Sequence, residues 1–488
     1  MGFRMANLWR WDGTVERGTY ALVGLVGLAI KYNLDRLVAR VVFDRPWTPA
    51  NYLVPGHIFN LASPADVNFC LGLLAVALPF IWIGVVLTVQ RLRSAELPRW
   101  LVILFFVPLV QWLFLALLCL WPSRHEARPP RLGAGGFAAR LEPLIPENAL
   151  GAAAFGVAVT GVLGLGAAAV SVKVFTAYGF GLFVLVPFCV GLVAVLLYGY
   201  RRPRSCGSCI LVALLAAGLL GAALLAVAFE GLICLLMAAP IGGALAILGG
   251  LVGYVIQQRP WCRPGTAPAI GLTVLVVPLL IGTEQVGPPA APVFAVRTAL
   301  VIHAPREQVW HNVVTFAQLP PPTEWLFRCG IAYPQRAEIN GRGVGAVRQC
   351  VFSTGAFTEP IEVWDEPQLL KFSVTSNPAP MAEWTPYAVI HPPHLDGFLM
   401  SRGGQFRLSE LPNGDTHLEG TTWYQHHLWP AQYWRWWSDF IIHRIHLRVL
   451  RHIQRCAESG GGPRTGAGCR DASLTVPAGA DLWAAGRG

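Results

Sequence analysis

Charge is what this chain has least of. Only 13% of its 488 residues are charged, about half the ~25% of an ordinary soluble domain. With 54% hydrophobic residues, that shortage excludes a purely soluble chain and points to a membrane protein. Lysine-rich blocks are missing too. The formal net charge of +10 is carried largely by arginines in short loops and on the last helix, so nucleic acid is not an expected partner. The eleven cysteines spell no disulfide framework. Cys70, Cys119, Cys189, Cys209 and Cys234 lie within or at the end of apolar runs, where a thiol behaves as a small hydrophobe. Cys206 and Cys209 have the spacing of half a metal site, but no second pair follows, so no metal is expected. A removable signal peptide is not expected either, because arginines and tryptophans precede a long apolar run without a small-residue cleavage site. There is no H-E-x-x-H helix, no Ser/His/Asp or Cys/His order of a nucleophilic enzyme family, and no pairing of intramembrane charges as in a transporter. No cofactor follows from the sequence, and catalysis is left open.

What is present divides the chain. Unbroken apolar runs fill it up to Thr283, whereas 291–458 mixes charges, turns and alternation. Runs 69–89, 100–121, 150–172, 178–198 and 209–229 reach the ~20 residues that cross a ~30 Å hydrocarbon layer. The run 20–38, interrupted by Lys31, Asp35 and Arg36, together with 240–256 and 267–283, brings the expected count to about eight spans. The expected organisation is a membrane domain 1–122 with about three spans, a membrane domain 123–286 with about five, a linker 287–295, a globular domain 296–458 and a disordered tail 459–488. The arginine and lysine distribution leans toward placing the globular domain outside the cytoplasm, with its side left open. Glu230, between two apolar runs, reads as a tight interfacial turn or, alternatively, as a buried functional group. The glycines around it, Gly218, Gly221, Gly242, Gly243, Gly249, Gly250 and Gly253, predict close helix packing rather than a pore.

The stretches WDGTVERGTY and LTVQRLRSAELPRWLVILFFVPLVQWLFLALLCLWP resemble a small bacterial inner-membrane family of unknown function with GR-x-x-R and RRLHD-type motifs. The likeness covers about residues 7–122. Ser94 and Ala95 stand where that loop usually has His-Asp. The resemblance implies an integral protein of the bacterial inner (cell) membrane and no activity.

Beyond the linker, VFAVRTALVIHAP reads as a strand and REQVWHNVVTF as a short helix opened by Pro305. Strand signals follow at 333–339, 345–352, 361–364, 369–375, 404–411 and 416–426, punctuated by NGRG, DEP and LPNGD turns. The last helix, 430–456, carries an apolar stripe of Trp434, Trp437, Ile441, Ile445, Val449 and Ile453 beside an arginine stripe of Arg444, Arg448, Arg451 and Arg455. Through VIHAPREQVW, GRGVGAVRQC, EVWDEPQLLKFSV and LPNGDTHLEGTTWY, the region 296–458 resembles the START-like (SRPBCC; polyketide cyclase/dehydrase and lipid transport) superfamily. The resemblance implies an α+β helix-grip fold, a curved antiparallel sheet around a long C-terminal helix with an apolar pocket between them.

Strand parity puts Leu418, Thr422, Tyr424 and His426 on one face, and Arg348, Cys350 and Phe352 on another. The candidate ligand-binding residues are therefore Arg348, Tyr424 and His426, with Trp434, Trp437, Ile441 and Ile445 as a helical wall. For each polar member a purely structural role is the alternative. The arginine stripe is expected on the opposite or flanking surface, meeting anionic headgroups or merely solvated, so that replacing Arg448 and Arg455 leaves folding intact. Asp439 and His443 read as a side-chain pair rather than, with His446, as a metal site. The insert carrying Glu383, His391, His394 and Asp396 is expected as a loop at the cavity mouth. The functional expectation is a membrane-anchored module binding a lipid or other hydrophobic small molecule. A cyclase/dehydratase-type enzyme using Tyr424, His426 or His394, or a structural or sensory protein without ligand, are the alternatives. Membrane lipids are expected partners, and the oligomeric state stays open.

Overall fold

A backbone among apolar side chains must satisfy its own hydrogen bonds, and the runs up to Thr283 do so as helices. The computed structural model describes residues 11–53, 64–121, 142–258, 263–284, 291–387 and 390–459; the expected tail beyond Ser459 and residues 287–290 of the expected linker fall outside these. The helices are α1 (Arg17–Phe43), α2 (Pro64–Ser94), α3 (Val110–Leu120), α4 (Ala149–Ala169), α5 (Val186–Tyr198), α6 (Cys206–Ala226), α7 (Leu232–Gln257) and α8 (Arg263–Thr283). Among the described residues, five stretches are long and apolar enough to cross a membrane: Ala65–Ser94, Ala149–Val174, Gly181–Tyr198, Cys206–Ala226 and Leu232–Gln257. By that measure the chain is an integral membrane protein. Residues 100–121, expected as one span, are a 3-10 helix Arg99–Phe106 followed by α3, broken where Leu109 takes φ 62°. The short span expected from 240 begins instead at Leu232 and carries Pro240 inside it. In α1, the charges that interrupt the apolar run answer each other. Lys31 pairs with Asp35 one turn on, and Asp35 also accepts from the Tyr52 hydroxyl.

Contacts divide the chain into two units. Unit 1 holds Met1–Pro292 with the returning segments Glu383–His394 and His426–Trp434; unit 2 holds Val293–Ala382, Leu395–Gln425 and the chain from Arg435. Within unit 1, α5 is the central helix, with 83% of its span buried. It meets α7 through glycine. A Cβ at Gly191 would stand 2.0 Å from the Ala246 carbonyl oxygen, and one at Gly249 would stand 2.0 Å from that of Phe188, so the two backbones touch.

Unit 2 is a seven-stranded antiparallel sheet of β1 (Val293–Ile302), β2 (Pro334–Asn340), β3 (Val347–Phe352), β4 (Gly355–Asp365), β5 (Leu369–Ser373), β6 (Leu399–Glu410) and β7 (Thr416–His426), in the order β1-β7-β6-β5-β4-β3-β2. Short helices α9 (Arg306–Val314) and α10 (Trp325–Arg328) follow β1, and α11 (Ala431–Glu458) closes the chain. Pro305 caps α9 from outside rather than opening it. β4 is longer than its apolar signal because its first half pairs with β3 and its second with β5. The core joins Ile302, Trp310, Leu370, Leu408 and Leu418 to Val449, Leu450 and Ile453 of α11. A multi-span helical part followed by an α+β helix-grip is thus the observed architecture.

We predict that Gly249→Val costs at least the ~1–3 kcal/mol of an overpacked interior. Gly271→Ala, where an added Cβ meets nothing within 4 Å, should be neutral. Thermal unfolding in detergent compares them, and equal melting of the two variants would refute the backbone contact.

Candidate functional site

Charged side chains taken among apolar helices demand partners, and unit 1 gathers several at the start of α7. The Glu383 carboxylate accepts from the Ile233 N–H at 3.2 Å, and the Trp384 carbonyl accepts from the Leu232 N–H at 2.8 Å. These are donors that a helix start leaves without intrahelical partners, and negative charge is favoured there. Gly231 makes room, since a Cβ would lie 2.0 Å from Glu383 Oε2.

Anchored in this way, the segment Glu383–His394 brings His394 to the first turn of α7. His394 Nε2 lies 2.8 Å from Cys234 Sγ and 3.8 Å from Glu383 Oε1, while its Nδ1 lies 3.3 Å from Glu230 Oε2. Glu230 Oε1 accepts from the Tyr178 hydroxyl at 2.8 Å. Tyr178, Glu230 and His394 are buried. Burial holds the Glu230 carboxyl above the usual range, opposed by His394 and the Tyr178 hydroxyl and reinforced by Glu383. Among the described residues, Glu230, Cys234 and His394 form the one His/Cys/Asp/Glu group whose ligand atoms lie within 4.8 Å of one another.

The cluster borders a cavity of about 570 Å³ between α4, α5, α6 and α7, within the ~300–1,000 Å³ of small-molecule sites. Apart from Tyr178, Glu230, Cys234 and His394, its walls are apolar or small, and Gly218, Gly221, Gly242 and Gly243 line it. This corrects the expectation that all the glycines near Glu230 serve close packing. Gly249, Gly250 and Gly253 do, each with a contact at 3.0 Å or less for an added Cβ; Gly218 and Gly221 face open space.

Residues 8–129 match the family model described as a protein of unknown function (DUF805). No curated protein matches the chain. Solved structures match its C-terminal region. Norcoclaurine synthase from Thalictrum flavum, in complex with dopamine and hydroxybenzaldehyde, is 13% identical and covers 36% of this chain and 91% of its own, with a TM-score of 0.25. Aha1 from Colwellia psychrerythraea is 15% identical over 35% and 99%, with a TM-score of 0.21. The di-domain ARO/CYC StfQ of the steffimycin pathway is 11% identical over 34% and 51%, with a TM-score of 0.24. The helix-grip architecture itself stands on this chain's own strand order and C-terminal helix. In the DUF805 region, Arg91 is fully buried and donates to the Leu118 carbonyl at 3.0 Å and to that of Trp121, tying down the end of α3. Ser94 accepts from the Val15 N–H at 2.9 Å. Within the matched stretch Arg91 and Ser94 therefore hold structure.

Of the residues expected to bind ligand, Trp434 lines the cavity, its ring 4.8 Å from that of Phe183. Arg348 is buried in unit 2, paired with Glu359, and its guanidinium lies 5.5–5.6 Å from the Phe316, Phe372 and Phe406 rings. Tyr424 is buried and donates to Asp439 at 2.6 Å. Asp439 also takes Arg435, so the expected Asp439–His443 pair does not form. His426 is buried at the end of β7, and Trp437, Ile441 and Ile445 are half-buried along α11. Arg448 is no free surface charge: it donates to the Pro334 and Pro320 carbonyls and lies over the Tyr333 ring. Its replacement therefore removes structural ties, contrary to the sequence-based expectation. From the insert, Glu383 and His394 reach the cluster, whereas His391 and Asp396 do not line the cavity. Sequence reasoning missed Cys234, taken for a small hydrophobe. The available signal was a glutamate and a cysteine one turn apart across a helix start.

The α11 histidines meet hydroxyls instead of a metal. His443 Nδ1 lies 2.8 Å from Thr298 Oγ1, and His446 lies 2.7 Å from Thr422 Oγ1 and 3.1 Å from Thr298 Oγ1. Burial, then His443, depresses His446 to about 4. Below pH ~6.5 the unfolded chain takes up a proton that the folded one refuses. Stability from this group is therefore intact above that pH and lost as pH falls from 6.5 toward 4. His446→Gln should remove about 2 kcal/mol of acid sensitivity between pH 7.5 and 5, read from denaturant unfolding at those two pH values. An unchanged difference between the two pH values would refute the assignment.

Proposed function

We propose that this chain is a membrane-anchored protein that binds a lipid or other hydrophobic small molecule within its helical unit. The observation that carries this reading is the cavity of about 570 Å³, apolar throughout except where Tyr178, Glu230, Cys234 and His394 meet it. An amphiphile gains by leaving its chain among apolar walls, at ~25 cal/mol per Å² buried, and its polar end finds hydrogen-bonding groups beside the start of α7. The bacterial inner membrane is the location this reading takes.

Gly221 lines the cavity, and a Cβ there meets nothing within 4 Å, so the longer side chain of Gly221→Leu is directed at the cavity space. Lipid extraction and mass spectrometry of the purified full chain should find a hydrophobic molecule bound. In Gly221→Leu it should fall about tenfold, a loss of ~1.4 kcal/mol in binding, with melting unchanged. Equal retention by both proteins would overturn the assignment of the cavity.

A further inference from the structure

We infer that Cys234, His394 and Glu230 form a nucleophilic relay that takes up a fatty acyl group on the Cys234 sulfur. This rests on the reading of the cavity as a hydrophobic-ligand site and names its chemistry. The relay requires a nucleophile within reach of a base and a third group orienting that base. Here Cys234 Sγ faces His394 Nε2 at 2.8 Å, and Glu230 Oε2 faces the opposite ring nitrogen at 3.3 Å.

One ligand atom from each of the three lies within 4.8 Å of the others, so a bound cation is the competing occupant, and it would take the sulfur and imidazole lone pairs that the relay needs. Two further features fit acyl transfer. The imidazolium formed by proton transfer has a carboxylate on each side, Glu230 at Nδ1 and Glu383 at 3.8 Å from Nε2. The Tyr178 hydroxyl fixes Glu230 from behind at 2.8 Å, a positioning role. Cys234, His394 and Glu230 all line the cavity, whose remaining wall is apolar.

In the acylation step Cys234 gives its thiol proton to His394 Nε2, and the sulfur attacks the carbonyl carbon of an acyl ester or thioester. A C–S bond forms and the donor's C–O or C–S bond breaks. The proton then passes from His394 to the departing alkoxide or thiolate. Water or an alcohol, deprotonated by His394, next takes the acyl group and restores the thiol. No oxidant or reductant is consumed.

The test uses the purified full chain with two probes bearing an alkyne-tagged palmitoyl chain: phosphatidylglycerol in vesicles, and palmitoyl-coenzyme A. Labelling by one or both identifies the donor as ester or thioester. The label should be released by neutral hydroxylamine, absent in Cys234→Ala, and formed about 10²–10⁴-fold more slowly in His394→Gln. In Cys234→Ser, which preserves side-chain size, any label should resist hydroxylamine. Labelling that survives in Cys234→Ala, or no labelling by either probe while lipid is still retained, overturns the relay and leaves the binding function standing. Loss of lipid retention in the wild-type chain would instead sink the binding reading. Stoichiometric zinc that copurifies and is lost in Cys234→Ala, without labelling, would make the cluster a metal site and overturn the relay.

Discussion

The seat of the Glu383 carboxylate at the start of α7 is the contact on which the site depends. A helix beginning inside apolar surroundings leaves backbone N–H groups that water does not reach, and leaving them unmet costs roughly what a lost hydrogen bond costs. Glu383 and the Trp384 carbonyl meet two of them, at Ile233 and Leu232. Having done so, they fix the path of the chain that follows, and eleven residues further on His394 arrives between Cys234 and Glu230. Gly231 is required by the same contact, because any side chain there would displace the carboxylate. A capping requirement of one helix thus assembles side chains separated by 160 residues.

Desolvation gives the two units the same problem, and they solve it differently. In unit 2, Arg348 and Glu359 are both buried and answer each other directly, with aromatic rings around the guanidinium. Removing one member of such a pair is costly because the other stays charged and buried. In unit 1 the described cluster is built differently: two carboxylates share one imidazole, one hydroxyl and backbone donors. Such an arrangement leaves proton positions adjustable. Groups of this kind, shifted by burial and specific neighbours, are characteristic of sites that do chemistry.

Much of the fold was legible in the sequence because it is local. Run length gave the helices, alternation gave strands β2 to β7, and spacings of three and four gave α11, whose Val449 and Ile453 lie in the core as the stripe requires. What failed was local too. Leu109, in a conformation that a propensity reading does not foresee, breaks the run 100–121. Arg448 sits in the arginine stripe, yet carbonyls of a distant loop and strand claim it. The candidate site was legible only in fragments: Glu230 as an ionisable group between apolar runs, His394 as part of an insert. Nothing in their spacing joins Tyr178, Glu230, Cys234, Glu383 and His394, since the turn between α4 and α5, the α6–α7 turn and a returning loop bring them together.

Glycine shows why composition could not place the cavity. Along α7, Gly249, Gly250 and Gly253 let neighbouring helices approach until an added Cβ would collide, while Gly242 and Gly243, less than two turns earlier, would meet their nearest neighbours only at 3.9 Å. One small residue type therefore closes one part of the helix against α5 and leaves space along the other. The change falls between Gly243 and Gly249, so the open part is the part nearest Glu230 and Cys234. A cavity closed by backbone contact at one end and bordered by ionisable groups at the other is polarised, and an amphiphile entering it has one favourable direction. In the binding mode proposed above, the ligand's apolar chain would lie toward the glycine-packed end, where the walls hold no polar partner, with its carbonyl end beside Cys234.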